Sequence, residues 1–179
     1  MRVVVISGYF NPIHLGHLDY IKAASALGDR LIVIVNNDKQ VELKGSTPFM
    51  DEFERMCIVG SIKGVSRTAL SIDTDGSVVK TLGSIYDEYS VDYFFDYMIF
   101  GNGGDRTNED TPEEKYCYKK GIKTQYGVGG EKTQSSSSLL KAKSDYDLLK
   151  VSSETKVSDS GMPPAKPRSF DEHGFYPYD

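Results

Sequence analysis

"GYFNPIHLGH", residues 8–17, follows directly on the apolar run "VVVIS" and holds two of the chain's three histidines beside Asn, Pro and Gly. A hydrophobic core calls for none of these residue types. Gly8 permits a tight exit from a strand, Pro12 stiffens the turn, and Gly16 lets backbone approach a ligand with no Cβ in the way. His14 and His17 stand three apart, so in a first helical turn their rings face one direction. A strand, a glycine turn and a helix N-terminus in this order form an anion site, because free N–H groups and the helix dipole attract negative charge. Two imidazoles over that terminus suit donation to a phosphate that gains charge in a transition state. The pair also matches part of a metal site, but no nearby Cys or third His completes it.

The flanking segments supply the scaffold. "RVVVIS" (2–7) and "RLIVIVN" (30–36) are β-branched runs without alternation, as in strands buried on both faces of a parallel sheet. Between them Leu15, Leu18, Ile21, Ala24 and Leu27 form an apolar helical stripe that Gly28-Asp29 ends. Further on, the spacing predicts helices over 48–62 and 77–89, strands over 66–72 and 92–101, and a weaker strand over 122–127. Residues 135–143, "SSSSLLKAK", predict a short closing helix capped by serines. Strands alternating with helices imply an α/β fold with a doubly wound parallel sheet.

Composition sets the outer limits. The chain has 179 residues and a net charge of −5, which argues against a nucleic-acid partner but leaves room for a phosphate held by local cations. Cys57 and Cys117 share no metal spacing and make no disulfide framework, and no stretch approaches membrane-spanning length. The expectation is a cytoplasmic protein with no membrane partner: one domain over residues 1–145 and a disordered tail over 146–179. Within that tail the aromatic cluster Phe170, Phe175, Tyr176 and Tyr178 could dock on the domain or on the partner subunit of a homodimer.

"GYFNPIHLGH" resembles the G-x-F-x-x-x-H-x-G-H signature of the cytidylyltransferase-like nucleotidyltransferases, which include glycerol-phosphate and heptose-phosphate members. The likeness continues through "LGDRLIVIVNND", "LKG", "FERM", "FGNGGD" and "TQSSSSLL", over roughly residues 2–143. It implies a Rossmann-like fold and transfer of a nucleoside monophosphate from CTP or ATP to a phosphorylated sugar or polyol, with release of pyrophosphate. By the resemblance His14, His17 and Lys44 are catalytic, and Arg55 binds substrate or phosphate. Gly8, Tyr9, Phe10, Gly16, Gly101, Asn102, Gly103, Asp105, Lys132, Ser136, Ser137 and Ser138 then bind the nucleotide.

No nucleophile–base pair stands out in the sequence, which fits a reaction driven by positioning and electrostatics. That chemistry also implies Mg²⁺, whose charge offsets the triphosphate's. One departure concerns the closing motif. Glycerol-type members place an arginine shortly before it, where this chain has Glu131-Lys132, and a lysine cannot make the two-pronged guanidinium contact. Two other readings stand beside this one. They are a pantetheine-phosphate or nicotinamide-mononucleotide type of adenylyltransferase in the same superfamily, and a non-catalytic nucleotide-binding scaffold.

Overall fold

The structure, a computed structural model, describes residues 1–104, 110–130 and 136–153, the last stretch in backbone only at Ser137 and from Tyr146 on. In chain order the elements are β1 (Arg2–Gly8), α1 (Leu15–Ser25), β2 (Arg30–Val35), α2 (Asp38–Leu43) and α3 (Glu52–Gly60). They continue with β3 (Arg67–Leu70), α4 (Val79–Ser90), β4 (Tyr97–Gly103), α5 (Pro112–Lys120), β5 (Lys123–Val128) and α6 (Ser136–Ser153). The chain falls into two units, Met1–Ser144 and Asp145–Asp179. Among the described residues no helix is long and apolar enough to cross a membrane.

All strands are parallel, in the order β3-β2-β1-β4-β5. Val3 to Ile6 and Leu31 to Val35 are buried on both faces, as their unbroken apolar runs require. On one face Ile21 and Ala24 of α1 and Val59 of α3 pack against Val4, Ile6, Leu31 and Val33. On the other, Val78, Leu82, Ile85 and Cys117 cover Val3, Val5, Ile32, Ile34 and Phe100. The strand order reverses between β1 and β4, so the crevice beyond their carboxyl ends is the switch point where such sheets bind ligands.

Several sequence expectations change. The strand foreseen over 92–101 begins only at Tyr97. The segment before it is a turn in which the Asp92 carboxylate accepts the Phe94 N–H at 2.9 Å, and Val91, Tyr93 and Phe94 face solvent. Helix α3 starts after Asp51, whose side chain accepts the Glu54 N–H, rather than at Pro48. The α1 stripe is buried only from Ile21 on: Leu15 is 64% exposed and Leu18 39%. Gly28 lies beyond the helix, where a Cβ would stand 2.6 Å from Val4 and 2.9 Å from the Arg2 carbonyl. It serves close approach to β1 rather than helix termination. The closing helix runs past Lys143 to Ser153, because the sequence from Ser136 to Ser153 contains no glycine or proline to stop it. Apart from that helical extension, the expected tail lies outside the described residues.

Helices α2 and α5 have no counterpart in the apolar periodicity. Asn37 caps α2 by accepting the Gln40 N–H, while the Gln40 side chain accepts the Asn37 N–H. Thr111 caps α5, Pro112 opens it, and Gly121 closes it with a left-handed φ of 70°. Of the α5 residues only Glu113 and Cys117 are buried, so its apolar stripe is one residue wide. Burial, then the charges of Glu113 and Glu114, push the Cys117 thiol up to about 12.

Candidate active site

The turn leaving β1 is shaped by Phe10. Its ring is fully buried, its φ is +50°, and a Cβ on Gly8 would meet that ring at 2.8 Å. Gly8 is therefore required by the fold of its own turn. Phe10, expected to bind nucleotide, can do so only through its backbone, because its side chain packs inward against His17 with ring centroids 4.8 Å apart.

His14 caps α1, and its ring stacks on that of His17 at 3.8 Å with 25° between planes. The His17 Nδ1 accepts the His14 backbone N–H at 3.3 Å. A neutral imidazole carries one proton, so this bond assigns it to Nε2 and leaves that atom as the donor.

Charge around the helix ends singles out this turn. Helices α2, α3 and α5 carry acids in their first turns. Helix α4 does not, but the Asp73 carboxylate accepts the Lys80 and Thr81 N–H groups and Glu113 accepts that of Val78. The first turns of α1 and α6 hold no acid. Ser136, opening α6, donates its hydroxyl to the Pro12 carbonyl at 2.9 Å, which joins the two termini. Their positive ends thus converge on the 8–17 turn with no carboxylate in either first turn to neutralise them.

Lys44 ends α2 and holds its Nζ 4.3 Å from the centre of the Tyr9 ring, so it reaches the turn from the side. The strap after it is tied down by Asn11, which is 4% exposed. The Asn11 side chain donates to the Thr47 carbonyl at 2.9 Å and accepts the Phe49 N–H at 2.5 Å. Sequence reasoning assigned Asn11 no role. Its only signal there is an Asn-Pro pair inside the turn.

The side chain of Arg55, expected to meet substrate or phosphate, is wholly buried. Nη1 donates to the Tyr9 and Asn36 carbonyls at 2.7 Å each, Nε to the Met50 carbonyl at 3.1 Å, and Nη2 to Asp38 at 2.5 Å. It fastens the 8–17 turn to the end of β2, the start of α2 and the strap before α3. The periodicity of α3 conceals this, since a buried arginine breaks the apolar pattern used to find a core.

Gly101, Asn102 and Gly103 end β4 across the crevice, with Gly101 and Asn102 buried and the pairing to β5 shifted between Gly101 and Gly103. Gly16 lies in the first turn of α1, half-buried, and Ser138 is exposed on α6. Asp105, Lys132 and the Ser137 side chain lie outside the described residues. Among the described residues no group of three His, Cys, Asp or Glu gathers to hold a metal ion. The protein side chains on view do not by themselves make a Mg²⁺ site.

A parallel sheet of order 3-2-1-4-5, which brings to its switch point a histidine pair and two helix N-termini with no acid in their first turns, defines a Rossmann-like protein of the nucleotidyltransferase kind. Residues 5–148 match the family described as cytidylyltransferase-like, and the chain belongs to that family. A relative named FAD synthase, from Thermoplasma volcanium, is 35% identical over 79 residues, 44% of this chain and 54% of its own length. The bifunctional protein HldE of Koribacter versatilis is 39% identical over 71 residues, 38% of this chain and 15% of its own. The match thus spans about half of the FAD synthase and far less of HldE. Among solved structures, the lipopolysaccharide core biosynthesis protein of Thermoplasma volcanium superposes with a TM-score of 0.56 at 28% identity. That superposition covers 71% of this chain and 94% of the other.

Proposed function

We propose that this chain transfers a nucleoside monophosphate from CTP or ATP to a phosphorylated acceptor, a sugar or polyol phosphate, and releases pyrophosphate. An acceptor phosphate oxygen attacks the α-phosphorus. A new P–O bond forms there as the bond to the bridging oxygen breaks, and that oxygen leaves with the β- and γ-phosphates. The observation that carries this reading is the stacked His14–His17 pair at the carboxylate-free start of α1, with Nε2 of His17 as a donor. Donors already in place where charge develops cost no reorganisation during reaction.

In this reading Lys44 and the serines opening α6 meet the outer phosphates. Gly101, Asn102, Gly103 and Asp105 take the nucleoside, and Lys132 adds charge. Arg55 and Asn11 position the turn without touching substrate. Mg²⁺ belongs to the proposal as a companion of the triphosphate's own oxygens, and no step is routed through it. A second reading has a mononucleotide acceptor and ATP as sole donor; the likeness to a protein named FAD synthase favours it, since FAD contains an adenylyl group. A cytoplasmic location, absence of nucleic-acid and membrane partners, and room for a homodimer go with either.

Pyrophosphate release tests the proposal, assayed with CTP or ATP, Mg²⁺ and a panel of sugar phosphates, polyol phosphates and mononucleotides. Pyrophosphate is expected only when one particular acceptor is present, in equal amount to the nucleotidylated product. Release of inorganic phosphate with the nucleoside diphosphate, or no turnover on any acceptor, would overturn it.

A further inference from the structure

Tyr20 lies on α1, one turn beyond His17, on the helix that carries both histidines. Three separate contacts bind it to the opposite wall of the crevice. Its hydroxyl donates to the Gly101 carbonyl at 2.7 Å. A Cβ on Gly103 would stand 2.9 Å from its ring. A Cβ on Gly129, whose φ is +91°, would stand 2.8 Å from the Tyr20 Cα.

These contacts have a physical reason. The β1–β4 ladder ends at the Ile6–Gly101 pair, and the β4–β5 ladder slips between Gly101 and Gly103. Strand pairing becomes irregular from there on, and a buried carbonyl at such a place gains from a further donor. The Tyr20 hydroxyl donates to that of Gly101. The two glycines then mark where β4 and the turn after β5 come too close to Tyr20 for any side chain. Helix α1, the end of β4 and the Gly127–Gly130 turn consequently share one fulcrum.

We propose that Tyr20 is a positioning residue that sets the Gly101–Gly103 shelf at the distance from the histidines needed to seat the nucleoside end of a triphosphate. This rests on the nucleotidyl-transfer reading of the site. Tyr20 itself touches neither the reacting phosphates nor the acceptor. Its loss is therefore felt in nucleotide binding and spares the chemical step.

Tyr20→Phe removes the hydroxyl and keeps the ring. The full chain and this variant are titrated with CTP and ATP in Mg²⁺ by calorimetry, then assayed for pyrophosphate release. Kd and KM for the triphosphate are expected to rise roughly five-fold, the equivalent of one lost hydrogen bond, with kcat within about two-fold of wild type. Amide hydrogen exchange over 97–104 is expected to quicken in the same variant without nucleotide. Gly129→Ala, which presses a methyl on the Tyr20 backbone from a residue with no assigned contact to the nucleotide, is expected to raise KM likewise and decides the matter if Tyr20→Phe folds poorly. A folded Tyr20→Phe with unchanged Kd, or with a lower kcat at unchanged Kd, overturns the inference. A wild type that binds no triphosphate overturns the reading of the site instead, and the first titration separates the two.

Discussion

Removing either imidazole isolates what the 8–17 turn contributes beyond its shape. His14→Ala and His17→Ala should each lower kcat by roughly 10²-fold or more, the scale of losing one transition-state donor. The unfolding midpoint should move little for His14→Ala and by the equivalent of about 1 kcal/mol for His17→Ala, whose ring packs on Phe10 and accepts the His14 N–H. Steady-state turnover beside a urea melt checks both halves of that statement. Arg55→Ala should behave in the opposite way. It strips donors from three backbone carbonyls and leaves Asp38 without its ion-pair partner. The expected loss is about 3–5 kcal/mol of stability, read from the urea midpoint, with activity falling only as the folded fraction falls. A variant as stable as wild type would show that the buried guanidinium is dispensable to the turn.

At the scale of elements, the middle of the strap between α2 and α3 is held by the Asn11 amide. Asn11→Ala removes both of its ties, at Thr47 and Phe49, and loosens the segment that directly follows Lys44. The fold should lose about 1–3 kcal/mol, the cost of a buried hydrogen-bonding group left unpaired. Triphosphate affinity should fall by at least as much as in Lys44→Ala, which calorimetric titration of the two variants would show. Elements also explain what was and was not legible. The β1–α1–β2 unit stands out because its strands are buried on both faces and its turn carries Asn, Pro, Gly and His, which a core does not call for. Helix α5 escapes a search for apolar periodicity because it buries only Glu113 and Cys117, although Thr111, Pro112 and Gly121 mark both its ends. Helix α2 is six residues held by Asn37 and Gln40, too short to show a stripe. "DYFF" reads as strand from its aromatic content, yet an Asp92 turn keeps Tyr93 and Phe94 in solvent. Within the site, the histidines are visible because they are chemically odd for a core. Asn11, Arg55 and Tyr20 act through backbone carbonyls or amides far along the chain, and no local pattern records that.

For the molecule as a whole, acid should expose one surface tie at the far end of β1. The Arg2 side chain and its backbone N–H hold the Asp29 carboxyl down at about 2, against an ordinary 3.8. A lowered folded value means the stabilisation is present above about pH 4 and is lost as pH falls through about 2. Asp29→Asn should therefore be less stable than wild type at pH 7, and the gap should narrow below pH 4 and close only in urea melts taken to about pH 2. A gap that persists unchanged on acidification would assign the effect to something other than this charge.

The central claim, that the β1–α1 turn holds a triphosphate, is tested most directly by ligand-induced stabilisation of the full chain. The measurement is a thermal-shift series with CTP, ATP, GTP and UTP in Mg²⁺, run on wild type and on the His14→Ala/His17→Ala double variant. Binding to the folded state alone raises Tm with ligand concentration. The account predicts a concentration-dependent rise with CTP or ATP that shrinks sharply in the double variant. Wild type whose Tm is unmoved by every triphosphate, or a rise equally large in the double variant, would contradict it.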